Sequence, residues 1–267
     1  SMNFLFKNCR SFNQPLNEWN VKNVQSMNYM FSDATSFNQP LNNWNIQNLE
    51  TAISMFYNAC VFNQDLNNWN TTKLVYINHM FCYALKFNGN INNWNTHNVK
   101  YMQYLFYKCI SFNKPLDKWN VSKVRNIDYM FCNAEIFNKS LNKWNTENLV
   151  YANNVFSNCV SFNKPLNNWK TNKIISMISL FYNASSFNQP LDKWDMENVY
   201  NIDHMFCNCT AFNQNINNWN TKNIRSMQYV FYNCILFNQP LDKWNVKNVI
   251  QFNSMFRKAL SFNQNIN

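Results

Sequence analysis

The chain has 267 residues and a formal net charge of +10, with ten tryptophans, 24 phenylalanines and one glycine. No apolar run approaches the ~20 residues that a membrane-spanning helix needs, and no signal peptide or lipid-attachment signal is visible. The sequence also lacks a glycine-rich phosphate loop, paired carboxylates and a nucleophile elbow. It therefore predicts a protein without catalytic residues or a cofactor.

Ser1 and Met2 look like a remnant of cloning, and the predicted domain covers residues 3–267. Within it, tryptophan recurs at every 25th residue without insertion or slip, and two phenylalanine columns keep the same step. A strict period of this size predicts a solenoid, in which each repeat packs only on its neighbours. We therefore expect one elongated domain of about eleven coils. The first tryptophans of the series are Trp19, Trp44, Trp69 and Trp94.

The repeat that begins at Phe12 contains two kinds of spacing. Leu16, Trp19 and Val21 follow the L-x-x-L-x-L spacing of a leucine-rich-repeat strand, in which the intervening residues point outward. After Asn23, which stands at a helix N-cap position, apolar residues recur at helical steps of three and four. These residues are Val24, Met27, Met30, Phe31 and Ala34. The pattern predicts an α/β solenoid with short parallel strands on one face and short helices on the other.

A column, meaning a set of residues 25 apart, is filled by asparagine in all eleven copies and begins with Asn13, Asn38 and Asn63. Outward asparagines would be free to drift to Lys or Ser, as neighbouring columns do. An inward asparagine that bonds the turn backbone of successive coils would not, because its loss leaves buried groups unpaired at ~1–3 kcal/mol each. We therefore expect a structural asparagine ladder.

The tryptophan column shares the inward phase of Leu16 and Val21. We expect Trp19 to stack on Trp44 inside the core. The alternative is an exposed aromatic platform for bases or sugars.

Five of the nine cysteines stand in a column that is otherwise alanine, as expected of a small buried hydrophobic residue. This favours free, inert thiols over a disulfide framework, and free thiols favour a reducing, intracellular compartment.

The repeat resembles the BspA-like leucine-rich repeats of bacterial and mycoplasma surface proteins and of giant DNA viruses. The shared form is F-N-x-x-L-x-x-W-x-x-x-x-V-x-x-M-x-x-M-F-x-x-A, which begins here at Phe12-Asn13 and ends at Ala34. This resemblance covers essentially the whole chain. It implies a right-handed leucine-rich solenoid that serves adhesion or protein interaction and has no catalytic residues. The bias toward Asn, Lys, Ile, Phe and Tyr is typical of an AT-rich genome and leads to the hypothesis of an amoebal virus as the source.

A longer repeat of 125 residues is superposed on the 25-residue one. The segment His79-Met-Phe-Cys82 returns as His204-Met-Phe-Cys207. This predicts the duplication of a five-coil block that spans about 24 Å at the spacing of neighbouring strands. Each His–Cys pair offers two ligands where a tetrahedral metal site needs three or four, so no metal site is predicted.

Binding residues in a solenoid are expected at outward positions that break the repeat. Lysine does so in two columns of the middle coils that are four residues apart, and like charges on successive coils, ~5 Å apart in water, repel by roughly 0.8 kcal/mol. An anionic partner would favour this arrangement. We call the six residues the lysine stripe: Lys114, Lys118, Lys139, Lys143, Lys164 and Lys193.

The sequence thus predicts a non-catalytic scaffold for protein–protein interaction, with an acidic protein as one candidate partner. Binding of a polyanion or nucleic acid through the lysine stripe is the alternative, and a solubilising face that protects an elongated apolar stack is a third interpretation. Neither end carries an obvious polar cap, which predicts either a fragment of a longer array or end-to-end self-association.

Overall fold

The structure is a computed structural model that describes residues 1–266, so residue 267 of the predicted domain lies outside the described part. Each 25-residue unit forms one coil, and successive coils stack so that residues 25 apart lie side by side. Isolated parallel β-bridges join one column along the stack, from Ser26–Thr51 to Ser226–Gln251. Residues 1–266 contain neither an α-helix nor an extended strand. The predicted α/β composition is therefore corrected: turns replace both kinds of element.

The segment predicted to be helical is a run of consecutive β-turns. The N–H of Ser32 donates to the carbonyl oxygen of Tyr29, and that of Ala34 to that of Phe31, both at 3.1 Å. Each bond spans three residues, whereas an α-helix spans four. Tyr29 and Asp33 have φ angles of 56° and 60°, and both positions are left-handed in every coil. Left-handed residues at this spacing prevent a helix from forming.

Alternate peptide groups of these turns lie along the stack and bond the next coil. The N–H of Tyr29 donates to the carbonyl oxygen of Ile53 at 2.9 Å, and the N–H of Phe31 to that of Met55 at 2.8 Å. The N–H groups that a helix would use internally are thus bonded between coils. The apolar residues at steps of three and four still face inward. Fully buried examples are Met27, Met30, Phe31 and Ala34.

The segment predicted to be a strand also consists of turns. The N–H of Trp19 donates to the carbonyl oxygen of Leu16 at 3.0 Å, and the N–H of Val24 to that of Val21 at 2.9 Å. Leu16 and Val21 are buried as the L-x-x-L-x-L phase predicts. The inward phase therefore holds although the predicted backbone conformation was wrong.

Stacked aromatic columns form the core. The rings of Phe31 and Phe56 stack at 5.5 Å between centroids, and those of Trp44 and Trp69 at 6.4 Å. Trp44, Trp69 and Trp94 are buried. Trp19 is 40% exposed, which corrects the expectation that it lies inside the core. No complete coil precedes Trp19 in the described residues to cover its indole ring.

The asparagine column forms a continuous ladder of side-chain to backbone bonds. The Oδ1 atom of Asn13 accepts from the N–H of Asn38, and the Oδ1 atom of Asn38 accepts from that of Asn63, both at 2.9 Å. The series continues to the bond from the N–H of Asn263 to Oδ1 of Asn238 at 3.0 Å. These asparagines are half-buried or exposed, so the ladder lies at the rim of the core and not inside it.

The nine cysteines are free, and seven of them are buried. Four of these occupy the alanine column, where the thiol donates to a phenylalanine carbonyl of the preceding coil. In one case Sγ of Cys109 lies 2.9 Å from the carbonyl oxygen of Phe81. Burial raises the pKa of Cys82 to about 12 and that of Cys132 to about 11. No helix in residues 1–266 is long and apolar enough to cross a membrane.

Candidate interaction surfaces

The lysine stripe lies on the arc of the coil that follows the asparagine ladder. Lys114, Lys139 and Lys164 are half-buried on three successive coils, whereas the other three lysines of the stripe are exposed. The Nζ atom of Lys118 bonds Oδ1 of Asn93 at 2.8 Å. Within residues 1–266 the one ion pair joins Lys222 to Glu197, so no carboxylate neutralises the stripe within 4 Å.

The six lysines do not converge on one depression. Lys114 lines an open hollow with Asp65 and Gly89, whereas Lys193 lines another with Lys170 and Asp195. The stripe is therefore a row of separate cations along the stack.

A second surface is formed by tyrosines on the turn segment of the second to fifth coils. Tyr83 meets Tyr57 edge to face at 5.7 Å between ring centroids and Tyr107 in the same way at 5.4 Å. The Nζ atom of Lys108 lies 4.9 Å from the ring centre of Tyr83 and 5.9 Å from that of Tyr107. We call this half-buried surface the tyrosine patch: Tyr57, His79, Tyr83, Tyr104, Tyr107, Lys108 and Tyr129.

The other rings of the tyrosine patch stack in a column along the solenoid. His79 stacks on Tyr104 at 4.7 Å, and Tyr104 stacks on Tyr129 at 4.6 Å. One ring stands on each coil, so these separations are close to the ~4.8 Å spacing of neighbouring strands. Burial raises the pKa of Tyr107 to about 12 and lowers the pKa of His79. The phenol of Tyr107 is therefore a neutral hydrogen-bonding group at physiological pH.

The residue types in one left-handed column also distinguish Tyr83 and Lys108. Tyr83 and Lys108 have φ angles of 62° and 59°, in a column that holds asparagine or aspartate in eight of eleven coils. Asparagine and aspartate tolerate this left-handed region best, and other side chains pay roughly 1–2 kcal/mol for it. Strained positions of this kind cluster at functional sites. Five coils later, Asn208 and Asn233 stand at the equivalent positions, so the patch is not duplicated in full.

A third surface, which the sequence argument missed, lies where the turn segment begins. Five cations occupy two columns that are two residues apart on the third to seventh coils. We call them the basic cluster: Lys73, Lys100, Lys123, Arg125 and Lys173. Four of them line one open depression of about 550 Å³ with Tyr101. A column-by-column comparison of residues 72–76, 97–101, 122–126, 147–151 and 172–176 would have revealed these departures.

The two His–Cys pairs are turn residues and not members of a helix. The N–H of Cys82 donates to the carbonyl oxygen of His79 at 3.0 Å, and His79 has a φ of 58°. Residues 1–266 hold no group of three or more His, Cys, Asp or Glu side chains arranged to bind a metal ion.

Comparison with known proteins identifies one family. The model of the family described as "Mycoplasma protein of unknown function, DUF285" matches residues 1–81, 62–169 and 151–267. No curated protein has significant sequence similarity to this chain.

Among solved structures, the chain is similar to a chain in the crystal structure of a TLR13–ssRNA13 complex, with 10% identity and a TM-score of 0.19. The match covers 85% of this chain and 49% of the other, so this chain spans about half the length of that structure. A likeness of this size does not extend to the fold or to what either protein binds.

Proposed function

The chain belongs to the DUF285 family of Mycoplasma proteins of unknown function, and from this premise we propose that it is a non-catalytic repeat scaffold for protein–protein interaction. The tyrosine patch is the proposed contact surface. The observation that carries the proposal is the position of Lys108 over the rings of Tyr83 and Tyr107. Tyrosine is enriched at the energetic centres of protein interfaces, because it supplies a large ring and a hydroxyl at low entropic cost.

The scaffold supports this patch rigidly. The N–H of Tyr83 donates to the carbonyl oxygen of Tyr107, and the N–H of Lys108 to that of Cys132, both at 2.8 Å. Backbone bonds between coils therefore set the spacing of the tyrosines. A preorganised surface loses little conformational freedom when a partner binds.

Charge favours an acidic partner. The chain carries a net charge of +10, and Lys108 stands at the centre of the patch. A partner carboxylate could pair with the ammonium of Lys108 while apolar groups cover the ring edges. Such a contact combines an aromatic anchor with a charge that is shielded from water on binding.

The duplicated block supplies a matched control for the test. A photoreactive phenylalanine derivative is introduced in place of Tyr57, whose ring contacts that of Tyr83, or, five coils later, in place of Tyr182. We expect cross-linking at position 57 to capture a protein that position 182 does not capture, and Lys108→Glu to abolish the capture. Equal capture at both positions, or capture that persists in Lys108→Glu, would contradict the proposal.

Polyanion binding through the lysine stripe is a second candidate. It is favoured by the absence of a carboxylate within 4 Å of these lysines in the described residues. Retention on heparin should fall steeply from low to physiological salt, whereas a contact through the tyrosine patch should change little. Lys139→Glu should reduce retention, and a lack of retention at low salt would exclude this candidate.

A further inference from the structure

The basic cluster is the most strongly charged surface that neither proposal above uses. Its segments 72–76, 97–101, 122–126, 147–151 and 172–176 stack on successive coils and contain five cations against one carboxylate, Glu147. The outermost cations, Lys73 and Lys173, stand four coils apart, which is about 19 Å at the strand spacing. The cluster is therefore a short, continuous strip of positive charge.

Three of the lysines are held in place by asparagines of the preceding coil. The Nζ atom of Lys123 bonds Oδ1 of Asn98 at 3.1 Å, and that of Lys173 bonds Oδ1 of Asn148 at 2.7 Å. Asn148 is fixed in turn, because its Nδ2 atom donates to the carbonyl oxygen of Ser122 at 2.8 Å. Lys73 is bound to Asn48 in the same way at 2.7 Å. An ammonium group has three donors, so each lysine keeps donors for a ligand.

The cations lie in two rows with different spacing. The lysines of the first row, Lys73, Lys123 and Lys173, occupy every second coil, about 10 Å apart. In the second row Lys100 and Arg125 lie on adjacent coils, joined by the bond from the N–H of Arg125 to the carbonyl oxygen of Lys100 at 3.0 Å. Together the two rows present positive charge along the stack, as the binding of a ligand with a chain of anionic groups requires.

An aromatic position interrupts this strip of charge. Tyr101 lines the same depression as Lys100, Lys123, Arg125 and Lys173. Its ring stacks on that of Tyr76 at 6.4 Å toward the preceding coil. Tyr101 also forms a β-bridge with Asn126 of the following coil. Asn126 in turn forms a β-bridge with Tyr151 of the coil after that.

The gap in the tyrosine column lies at Asn126. The Oδ1 atom of Asn126 accepts from the N–H of Asp128 at 2.7 Å, so this side chain bonds its own turn. Tyr101 and Tyr151 thus flank a coil that carries no ring in this column. Two coil steps span about 10 Å, which leaves room for one flat aromatic group between them.

We propose that the basic cluster binds single-stranded nucleic acid, with the phosphates along Lys100, Lys123, Arg125 and Lys173 and a base stacked on Tyr101 above Asn126. A groove of cations beside exposed aromatic rings is the arrangement by which proteins bind single strands without sequence preference. Charge alone would suit any polyanion, and the ring next to the gap selects a ligand that has flat aromatic groups. The site is independent of the tyrosine patch and of the lysine stripe.

The test measures fluorescence anisotropy of a labelled, mixed-sequence single-stranded DNA of about 12 nucleotides. The complete chain is titrated at salt concentrations from about 50 to 200 mM, where we expect log K to fall against log salt with a slope of about −3. Arg125→Glu should weaken binding by about tenfold. Arg225→Glu is the matched control, since Arg225 lies in the same column but Asn223 and Tyr200 stand where Arg125 has Lys123 and Lys100.

Stacking is tested separately from charge. Tyr101→Ala should weaken DNA binding by about tenfold and leave heparin binding unchanged, whereas the exposed Tyr200→Ala should affect neither. The Arg125, Arg225 and Tyr200 side chains are exposed and Tyr101 is half-buried, so thermal unfolding of each variant serves to verify that it is folded.

Three results would overturn the proposal. The first is that the unaltered protein does not bind the DNA at the lowest salt concentration. The second is that Arg125→Glu loses no more affinity than Arg225→Glu, or that Lys139→Glu in the lysine stripe loses as much as Arg125→Glu. The third is that Tyr101→Ala changes heparin and DNA binding alike, which would leave a surface that attracts polyanions through charge alone.

Discussion

The indole N–H of Trp144 donates to the carbonyl oxygen of Leu116, which lies 28 residues earlier in the chain and one coil away, at 2.9 Å. The same bond joins Trp44 to Leu16 and recurs in each coil as far as Trp244 to Ile216. Tryptophan is thus required for its polar atom as well as for its ring. Phenylalanine or leucine could fill the space but could not bond this carbonyl group.

Replacement of the central indole should therefore destabilise the stack. We expect Trp144→Phe to lower the free energy of unfolding by about 2 kcal/mol, through the lost bond and the smaller ring. Trp19→Phe is the control, because Trp19 is 40% exposed and its replacement should change stability by less than about 0.5 kcal/mol. Chemical denaturation followed by circular dichroism measures both, and equal losses would refute the role of the bond.

The asparagine ladder should be sensitive at each rung. Oδ1 of Asn138 accepts from the N–H of Asn163 at 3.0 Å, so Asn138→Ala leaves that half-buried donor without its partner. We expect a loss of about 1–3 kcal/mol. Asn168→Ala, at an exposed position outside the ladder, should cost less than about 0.5 kcal/mol. A shift in the thermal midpoint of similar size for both variants would count against the ladder as a source of stability.

Thiol reactivity should follow burial. Cys9 is exposed, Cys60 is half-buried and the other seven cysteines are buried. Burial raises the pKa of Cys82 to about 12 and that of Cys207 to about 11, so little reactive thiolate is present at neutral pH. A disulfide reagent should modify Cys9 rapidly and Cys60 more slowly in the folded protein. The remaining thiols should react after denaturation, and their rapid modification in the folded state would contradict this prediction.

Stability should decrease as the pH falls below about 6.5. Burial lowers the pKa of His79 and His204 below the ordinary value of 6.5. The unfolded chain therefore binds protons at these residues before the folded chain does, and acidification favours unfolding. The effect is absent above the unfolded-state pKa and grows as the pH falls toward the folded-state values.

The repeat itself suggests the variant for this test. Tyrosine occupies the column of His79 and His204 at Tyr29, Tyr104, Tyr129 and Tyr229. The double variant His79→Tyr/His204→Tyr should reduce the loss of thermal stability between about pH 7 and 5. An unchanged profile in the double variant would show that other groups cause the acid sensitivity.

Periodicity predicted which residues lie side by side and which face inward. Identical residues at a constant step must occupy equivalent positions in a stack, so the asparagine column implied a ladder. The inward phase of Met27, Met30 and Phe31 followed from their spacing because both helices and consecutive turns bury residues at steps of three and four. Spacing alone could not distinguish these two conformations, and the prediction of helices was wrong for that reason.

The 25-residue period predicted the number of coils, the columns and the residues of the apolar core. The tertiary structure decided the conformation, because the N–H of Phe31 finds its acceptor in Met55 of the next coil and not within its own segment. The tertiary structure also decided which charged residues lie on the same surface. Lys100 and Arg125 are 25 residues apart in the chain, and the backbone bond between them brings them into one surface with Tyr101. Such contacts depend on how the coil closes in three dimensions, which a one-dimensional pattern of residue types does not specify.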